Sequence, residues 1–418
     1  LKPLLQGGTS RLPPRAGTDL RLIGNRMSAT PATAAAEHAD RVMARLREEI
    51  AAHGPLDFAR YMELVLHAPG LGYYSAGAPK FGAGGDFITA PELGDVYARC
   101  IAQAIAPALR ATAGEVLELG AGSGAFAADA LAELERLGVL PARYRILETS
   151  ADLRQRQASL LRERVPQLAS RVEWVDAPPE SPWRGVLYAN EVIDALPVRR
   201  FVVAVDGAVS AEAVDLDGHG ALLRRDLPAD AALAQAATRL EAQCGPWPRP
   251  YRSEWNAMLP AWIAAVSASL AQGLVLFVDY GYPRREYYAP GRRDGTLRGF
   301  HRHRVVEDPL ALPGLMDLTA SVDFSAVAEA GADAGLEFAG YASQSALLLA
   351  NGLPGILAAA DPADARAMAR LASQVKTLTL PGEMGERFQA IAFLRGLDAA
   401  LSPLDGIGPR EIHLDRLL

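Results

Sequence analysis

Between Glu115 and Gly138 the chain reads EVLELGAGSGAFAADALAELERLG. A short apolar run, three alternate glycines and an alanine-rich helical segment closed by glycine leave few folds open. The run reads as a short apolar strand, and the glycines stop it abruptly before the helix. The pattern then repeats. "YRILETS" (144–150) predicts a second strand, "ADLRQRQASLLRERV" (151–165) a charged helix, "RVEWVD" (171–176) a third strand and "GVLYANEVIDALP" (185–197) a fourth. Strands alternating with helices at this interval predict βαβ units, and so an α/β protein whose parallel sheet is covered on both faces. "GLVLFVDYGY" (273–282) resumes the sheet, a helix is expected from about Asp323, and further strands near 336–341 and 388–394.

Ahead of the sheet, Val42, Leu46 and Ile50 recur at helical spacing, which predicts an amphipathic helix from Ala34 to His53. "LDFARYMELVLHA" (56–68) predicts a second, with Asp57 as its cap, and Glu92 to Pro107 a third. Between the last two lies "KFGAGGDFITAPE" (80–92), rich in glycine yet carrying Phe81, Phe87 and Ile88. A plain surface linker would not carry those apolar residues. After Phe201 the regularity weakens into expected hairpins with Asp-Gly turns at 206–207 and 217–218. The expected organisation is therefore a leader or extension over 1–36, helices with the glycine-rich loop over 37–113, an α/β core over 114–398 interrupted at about 202–272, and a tail over 399–418. Residues 1–26 have an arginine bias but no signal-type apolar stretch, and Met27 follows them.

Charge and cysteine usage narrow the function. The net charge of −7 works against general attraction to a polyphosphate backbone, so no nucleic-acid partner is expected. No apolar run approaches the roughly 18 to 20 residues that cross a bilayer, so no membrane insertion is expected. Cys100 and Cys244 form neither a disulfide framework nor a metal-binding pair, and His301 and His303 have no companion cluster, so no metal site is expected. The arginine-rich loop from Arg284 to Arg304 reads either as a phosphate or RNA contact or as a solvated loop paired to the acidic remainder.

The chemistry concentrates at strand ends. Gly120, Gly122 and Gly124 separate a strand from a helix, where backbone can approach a ligand closely at the helix's positive end. Read loosely, they also satisfy the dinucleotide fingerprint G-x-G-x-x-A. The acid-x-G-x-G-x-G arrangement, with Glu118 ahead of the glycines, resembles the first motif of Rossmann-like methyltransferases. There Glu118 would help hold the cationic amino-acid end of S-adenosylmethionine. Glu148, closing the second strand, suits two ribose hydroxyls and does not separate that cofactor from NAD. Asn190, Glu191 and Asp194 cluster where the carboxyl ends of parallel strands place ligands, although Asn190 or Asp194 could equally cap a helix. The strand carries neither a [DN]-P-P-[YF] motif nor a Pro-Cys nucleophile, which argues against a nucleic-acid methyltransferase.

"GYYS…FGAGGDFITAPELG", "LELGAGSG", "ANEVIDALPV", "FVDYG" and "GTLRGFHRHRV…DPL…PG…DLTASVDFSAVA" together resemble the MidA-like family of S-adenosylmethionine-dependent methyltransferases, from about Asp40 to Arg395. The chain departs from the family at Ala90, where serine is usual, and at Val192-Ile193, where aromatic residues are usual. The resemblance implies a Rossmann-like class I methyltransferase sheet with an N-terminal helical lid and an inserted α+β segment. It further implies that the loop carrying Gly85, Asp86 and Thr89 folds over the cofactor, which Glu118, Gly120, Gly122, Gly124, Glu148, Asp176 and Asn190 also contact. Eukaryotic members imply methylation of an arginine in a respiratory complex I subunit. That chemistry needs carboxylates to grip a guanidinium and take its proton, and Glu191, Glu92 and Asp194 are the candidates. The implied location is the bacterial cytoplasm, or the mitochondrial matrix in a eukaryote. A small-molecule methyltransferase, a cofactor-binding assembly chaperone with little turnover and, more distantly, an NAD-dependent oxidoreductase stay open, as does the oligomeric state, a homodimer included.

Overall fold

A computed structural model of the chain describes residues 31–75, 89–405, 407 and 417. Gly85, Asp86 and the three apolar residues of the glycine-rich loop lie outside the described residues. Helices α1 (Pro31–His53), α2 (Phe58–His67) and α3 (Asp95–Thr112) precede the sheet. There follow β1 (Glu115–Leu119), α4 (Ala125–Arg136), β2 (Tyr144–Leu147), α5 (Ala151–Arg164), β3 (Val172–Val175) and β4 (Trp183–Asn190). Further along come α6 (Leu259–Ser267), β5 (Leu270–Tyr282), α7 (Phe324–Asp333), β6 (Glu337–Ser343) and β7 (Phe388–Arg395).

The strands lie in the order β6-β7-β5-β4-β1-β2-β3. All neighbours from β5 to β3 are parallel, whereas β7 runs antiparallel to both β5 and β6. This is the Rossmann-like class I methyltransferase arrangement. Its physical cause is legible in β5, where Leu274 to Val278 are all almost fully buried. Alternate residues face opposite sides. Val116, Val186, Tyr188, Leu274 and Leu276 pack with α3 and α4, while Leu117, Leu187, Val275 and Phe277 pack with α6 and α7. A strand apolar on both faces belongs inside a two-sided parallel sheet. The chain runs outward one way through β1, β2 and β3 and the other way through β4 and β5, so strand order reverses between β1 and β4. A crevice opens there.

Two features differ from the sequence reading. The third helix begins at Asp95, after a 3-10 turn over Ala90–Leu93, and runs through Pro107 to Thr112. Its buried face, including Ala104, Ala108 and Leu109, packs in the same core as α4 and holds the helix past the proline. The irregular segment, for its part, is an antiparallel sheet that starts at Arg199 and recruits Leu56–Asp57, which pair with Ala213 and Val214. Asp57 still caps α2, its side chain accepting from the amide of Ala59 at 2.9 Å.

After β5, part of the arginine-rich stretch forms a three-stranded sheet of Arg304–Val306, Arg298–His301 and Asp317–Thr319. Buried Glu254, from the antiparallel sheet, accepts hydrogen bonds from the amides of Thr296 (2.8 Å) and Leu297 (3.4 Å) and pairs with buried Arg200. Gly295 sits at φ +74°, and a Cβ there would meet the Glu254 carboxylate 2.2 Å away. Only glycine lets the "GTLRGF" segment dock this closely. Among the described residues, no helix is long and apolar enough to cross a membrane.

Candidate active site

The crevice at the carboxyl ends of β1, β4 and β5 is a cavity of about 1230 Å³. One side is the turn between β1 and α4. Gly120, Gly122 and Gly124 have φ of +63°, +54° and +87°, which glycine adopts without strain. Gln157 of α5, fully buried, holds this turn: its amide donates to the Gly122 carbonyl at 2.9 Å and to Glu148 at 3.3 Å, and its oxygen accepts from the Trp174 indole at 2.7 Å. Ser123 donates a hydrogen bond to Glu92, which ties the described end of the glycine-rich loop to the turn. Thr89 and Glu92 both line the cavity.

Acids ring the same end. Glu118 is buried beneath the glycines and accepts from the Tyr144 hydroxyl at 2.7 Å. Burial pushes its carboxyl up to about 8; the charge of Glu148 adds to the rise, and the Tyr144 hydrogen bond opposes it. Glu148 accepts from the amide of Ser150 at 2.8 Å. Asp176 sits at the cavity's rim, exposed, and pairs with Arg154 at 2.5 Å.

The opposite end is built from the turn after β4. Asn190 accepts from the Tyr97 hydroxyl at 2.6 Å and donates to Glu191 at 3.1 Å. Glu191 has a left-handed φ of +52°, unusual for a residue other than glycine. Neighbours hold it there. Its own amide donates to the Val278 carbonyl at 3.0 Å, and Asp279 of β5 accepts from the amides of Val192, Ile193 and Asp194 at 3.2, 2.9 and 3.2 Å. Such over-determined backbone is common where a side chain must be aimed. Burial raises the Glu191 carboxyl to about 8, with the Asp194 charge adding to it, and raises Asp194 to about 6. Among the described residues, Oδ1 of Asp194 is buried without a hydrogen-bond partner.

Aromatic residues complete this wall. The Tyr74 hydroxyl donates to buried Asp317 at 2.7 Å, and Tyr280 donates to Thr319 at 2.5 Å. His67 stacks on Tyr74 with ring centroids 5.6 Å apart, and its Nε2 lies 3.0 Å from the Ala195 carbonyl. Burial lowers the His67 pKa, so the ring is neutral near pH 7 and Nε2 carries the proton given to that carbonyl.

The structure therefore brings Glu118, Gly120, Gly122, Glu148, Asn190, Glu191 and Asp194 to one cavity, with Thr89, Glu92 and Asp176 also lining it, whereas Gly124 packs against Gln157 and does not line it. Gly85 and Asp86 lie outside the described residues. Sequence reasoning missed Gln157, which reads as one more polar residue on a charged helix, and the wall of His67, Tyr74, Tyr280 and Asp317. The motifs "GYYS", "FVDYG" and "DLTASVDF" held the signal for the last three, without saying that they converge.

Residues 100–342 match the family described as "Putative S-adenosyl-L-methionine-dependent methyltransferase". The chain belongs to this family. Among curated proteins it is similar to Protein arginine methyltransferase NDUFAF7, mitochondrial, of Danio rerio, at 29% identity with 84% of this chain and 86% of the relative covered. The Mus musculus protein of that name is 31% identical over 68% of each chain. A solved structure from Burkholderia thailandensis, bound to S-adenosyl-homocysteine, matches with a TM-score of 0.86 and 42% identity, covering 90% of this chain and 98% of that one. The methyltransferase uses S-adenosyl-L-methionine.

The cavity fits that cofactor on its own evidence. The glycine turn leaves room for close backbone approach, Glu118 is a buried acid suited to a cationic amine, and Glu148 offers acceptor oxygens to a diol. Calorimetry should accordingly show S-adenosylhomocysteine binding and no heat with NADH. Tight NADH binding would contradict the assignment.

Proposed function

We propose that this methyltransferase modifies a nitrogen of an arginine side chain in a protein, with a respiratory-complex subunit as the acceptor that the family resemblance implies. The observation that carries the reading is the wall of Glu191, Asp194 and Asp317, carboxylates held by a fixed turn and by tyrosines at one end of the cavity. Glu118, the turn from Gly120 to Gly124, Glu148 and Asn190 would hold the cofactor, with Thr89, Asp176 and, as the family resemblance implies, Gly85 and Asp86. Bound there, S-adenosyl-L-methionine supplies an electrophilic methyl group.

The chain's own residues supply the rest. A guanidinium has a pKa above about 12, so its nitrogen is a poor nucleophile until a carboxylate orients it and accepts the departing proton. Glu191, raised towards neutrality by burial, is a far better proton acceptor than an ordinary carboxylate. Asp194, whose buried Oδ1 has no hydrogen-bond partner among the described residues, can take one N–H of the planar fork. Glu92, tied to Ser123 of the glycine turn, remains the alternative acceptor-side carboxylate. The same-named mitochondrial relatives support arginine as the acceptor.

The pH dependence tests this assignment. Glu191 protonates as pH falls through about 8 and is then neutral, unable to grip a cation or accept a proton. Below that point kcat/KM for an arginine peptide should fall by about tenfold per pH unit, and Glu191→Gln should remove this limb along with most of the activity. A parent profile flat between pH 6 and 9 would rule Glu191 out as the proton acceptor.

A further inference from the structure

The cavity's acidic floor has a basic mouth that the reading above does not use. Arg292, Arg298 and Arg387 all line the cavity. The fold brings them to the same place, around the end of β5. Arg292 lies over the Tyr282 ring, 3.7 Å from its centroid. Arg298 is paired in register with Thr319, whose hydroxyl receives the Tyr280 hydrogen bond. Arg387 directly precedes Phe388, which pairs with Tyr280 across the sheet and lies 5.6 Å from its ring.

Several arginines of this acidic protein meet carboxylates, as Arg284 meets Asp323 and Glu329, Arg249 meets Glu241, and Arg199 meets Asp57 and Asp230. Among the described residues, no carboxylate pairs with Arg292, Arg298 or Arg387. Arg292 and Arg298 are instead tethered by backbone carbonyls, those of Glu286 at 2.8 Å and Leu297 at 2.7 Å. Three guanidinium groups that line one cavity and have no carboxylate partner among the described residues suit an anion that arrives with the ligand.

The cofactor is a poor source for that anion. Its amino-acid end belongs near Glu118 and the glycine turn on β1, two strands away from β5 in the sheet. We infer that Arg292, Arg298 and Arg387 form an anion subsite that selects acceptor segments in which the target arginine is flanked by an acidic side chain. The inference rests on the reading of Glu191 and Asp194 as the guanidinium-binding floor. The target arginine enters that floor, and the neighbouring aspartate or glutamate stays at the mouth, paired with the arginine rim.

Three peptides identical except at the positions flanking one arginine, with glutamate, glutamine or lysine there, separate the possibilities when binding is measured with S-adenosylhomocysteine present and methyl transfer with S-adenosyl-L-methionine. Affinity should fall from glutamate to glutamine to lysine, by about two- to fivefold at each step, the scale of exposed ion pairs, and the spread should shrink as salt rises. Arg298 and Arg387 are exposed, so replacement by glutamine leaves the fold intact. The double variant R298Q/R387Q should bind the glutamate and glutamine peptides within about twofold of each other and keep its affinity for S-adenosylhomocysteine. Equal binding of the glutamate and glutamine peptides by the parent, with the methyl group still on arginine, would overturn the subsite and leave the arginine reading standing. Unchanged methylation after lysine replaces the target arginine would overturn that reading instead. A variant that lost S-adenosylhomocysteine would show the rim serving the cofactor. Free arginine accepting as well as the glutamate peptide would assign the subsite to an α-carboxylate and overturn the flanking-residue proposal.

Discussion

Glu191→Gln is expected to bind S-adenosylhomocysteine as the parent does and to methylate an arginine peptide roughly a hundredfold more slowly, the scale of lost acid–base assistance. Glutamine keeps the size of the side chain and the contact from Asn190, and it asks nothing new of a backbone already held at φ +52°. What it removes is the charge proposed to grip a cation and the oxygen proposed to take its proton. Stability should move the other way. The folded pKa of Glu191 lies above its unfolded value, so the ionised form is penalised by folding and stability is lost as pH rises from the ordinary carboxylate range through about 8. The variant should therefore melt with the parent near pH 5 and at a higher temperature near pH 9. A Glu191→Gln protein that unfolds, loses the cofactor or methylates at the parent's rate would make this residue structural and leave Glu92 or Asp194 as the better candidate.

The second large effect is expected at the glycine turn. Gly122→Val should abolish S-adenosylhomocysteine binding, because φ of +54° is costly for any residue with a Cβ and most costly for a β-branched one. Relief of that strain would rotate the Gly122 carbonyl away from Gln157 and disturb the contact between Gln157 and Glu148. A melting curve without ligand separates lost binding from lost fold: the sheet core lies on either side of the turn and should still unfold cooperatively. Binding equal to the parent's would place the cofactor elsewhere.

What could be read from the sequence follows a physical divide. The parallel sheet was legible because its signals are local: short apolar runs, helices at helical period, and glycines where a strand must turn tightly into a helix. Glu118, Glu148 and the glycine turn share that locality. The opposite wall of the cavity does not. His67 and Tyr74 come from α2 and the loop after it, Glu191 and Asp194 from the turn after β4, Tyr280 from β5 and Asp317 from a sheet inserted after it. Only the folded chain shows that Asp279 spends its carboxylate on the turn carrying Glu191 and Asp194. Pairing of Leu56–Asp57 with a strand far along the chain was likewise invisible, since a two-residue strand has no period to detect. Pro107 misled for the opposite reason, a strong local stop signal overridden by helix packing.

The identity of the methylated atom tests the account most directly. An extract of the source cells, depleted of this protein, would be incubated with the purified methyltransferase and S-adenosyl-L-methionine labelled in the methyl group, and the protein fraction hydrolysed to amino acids. The account predicts label in methylated arginine, dependent on Glu191. Label confined to another amino acid, or to small molecules outside the protein fraction, would contradict it.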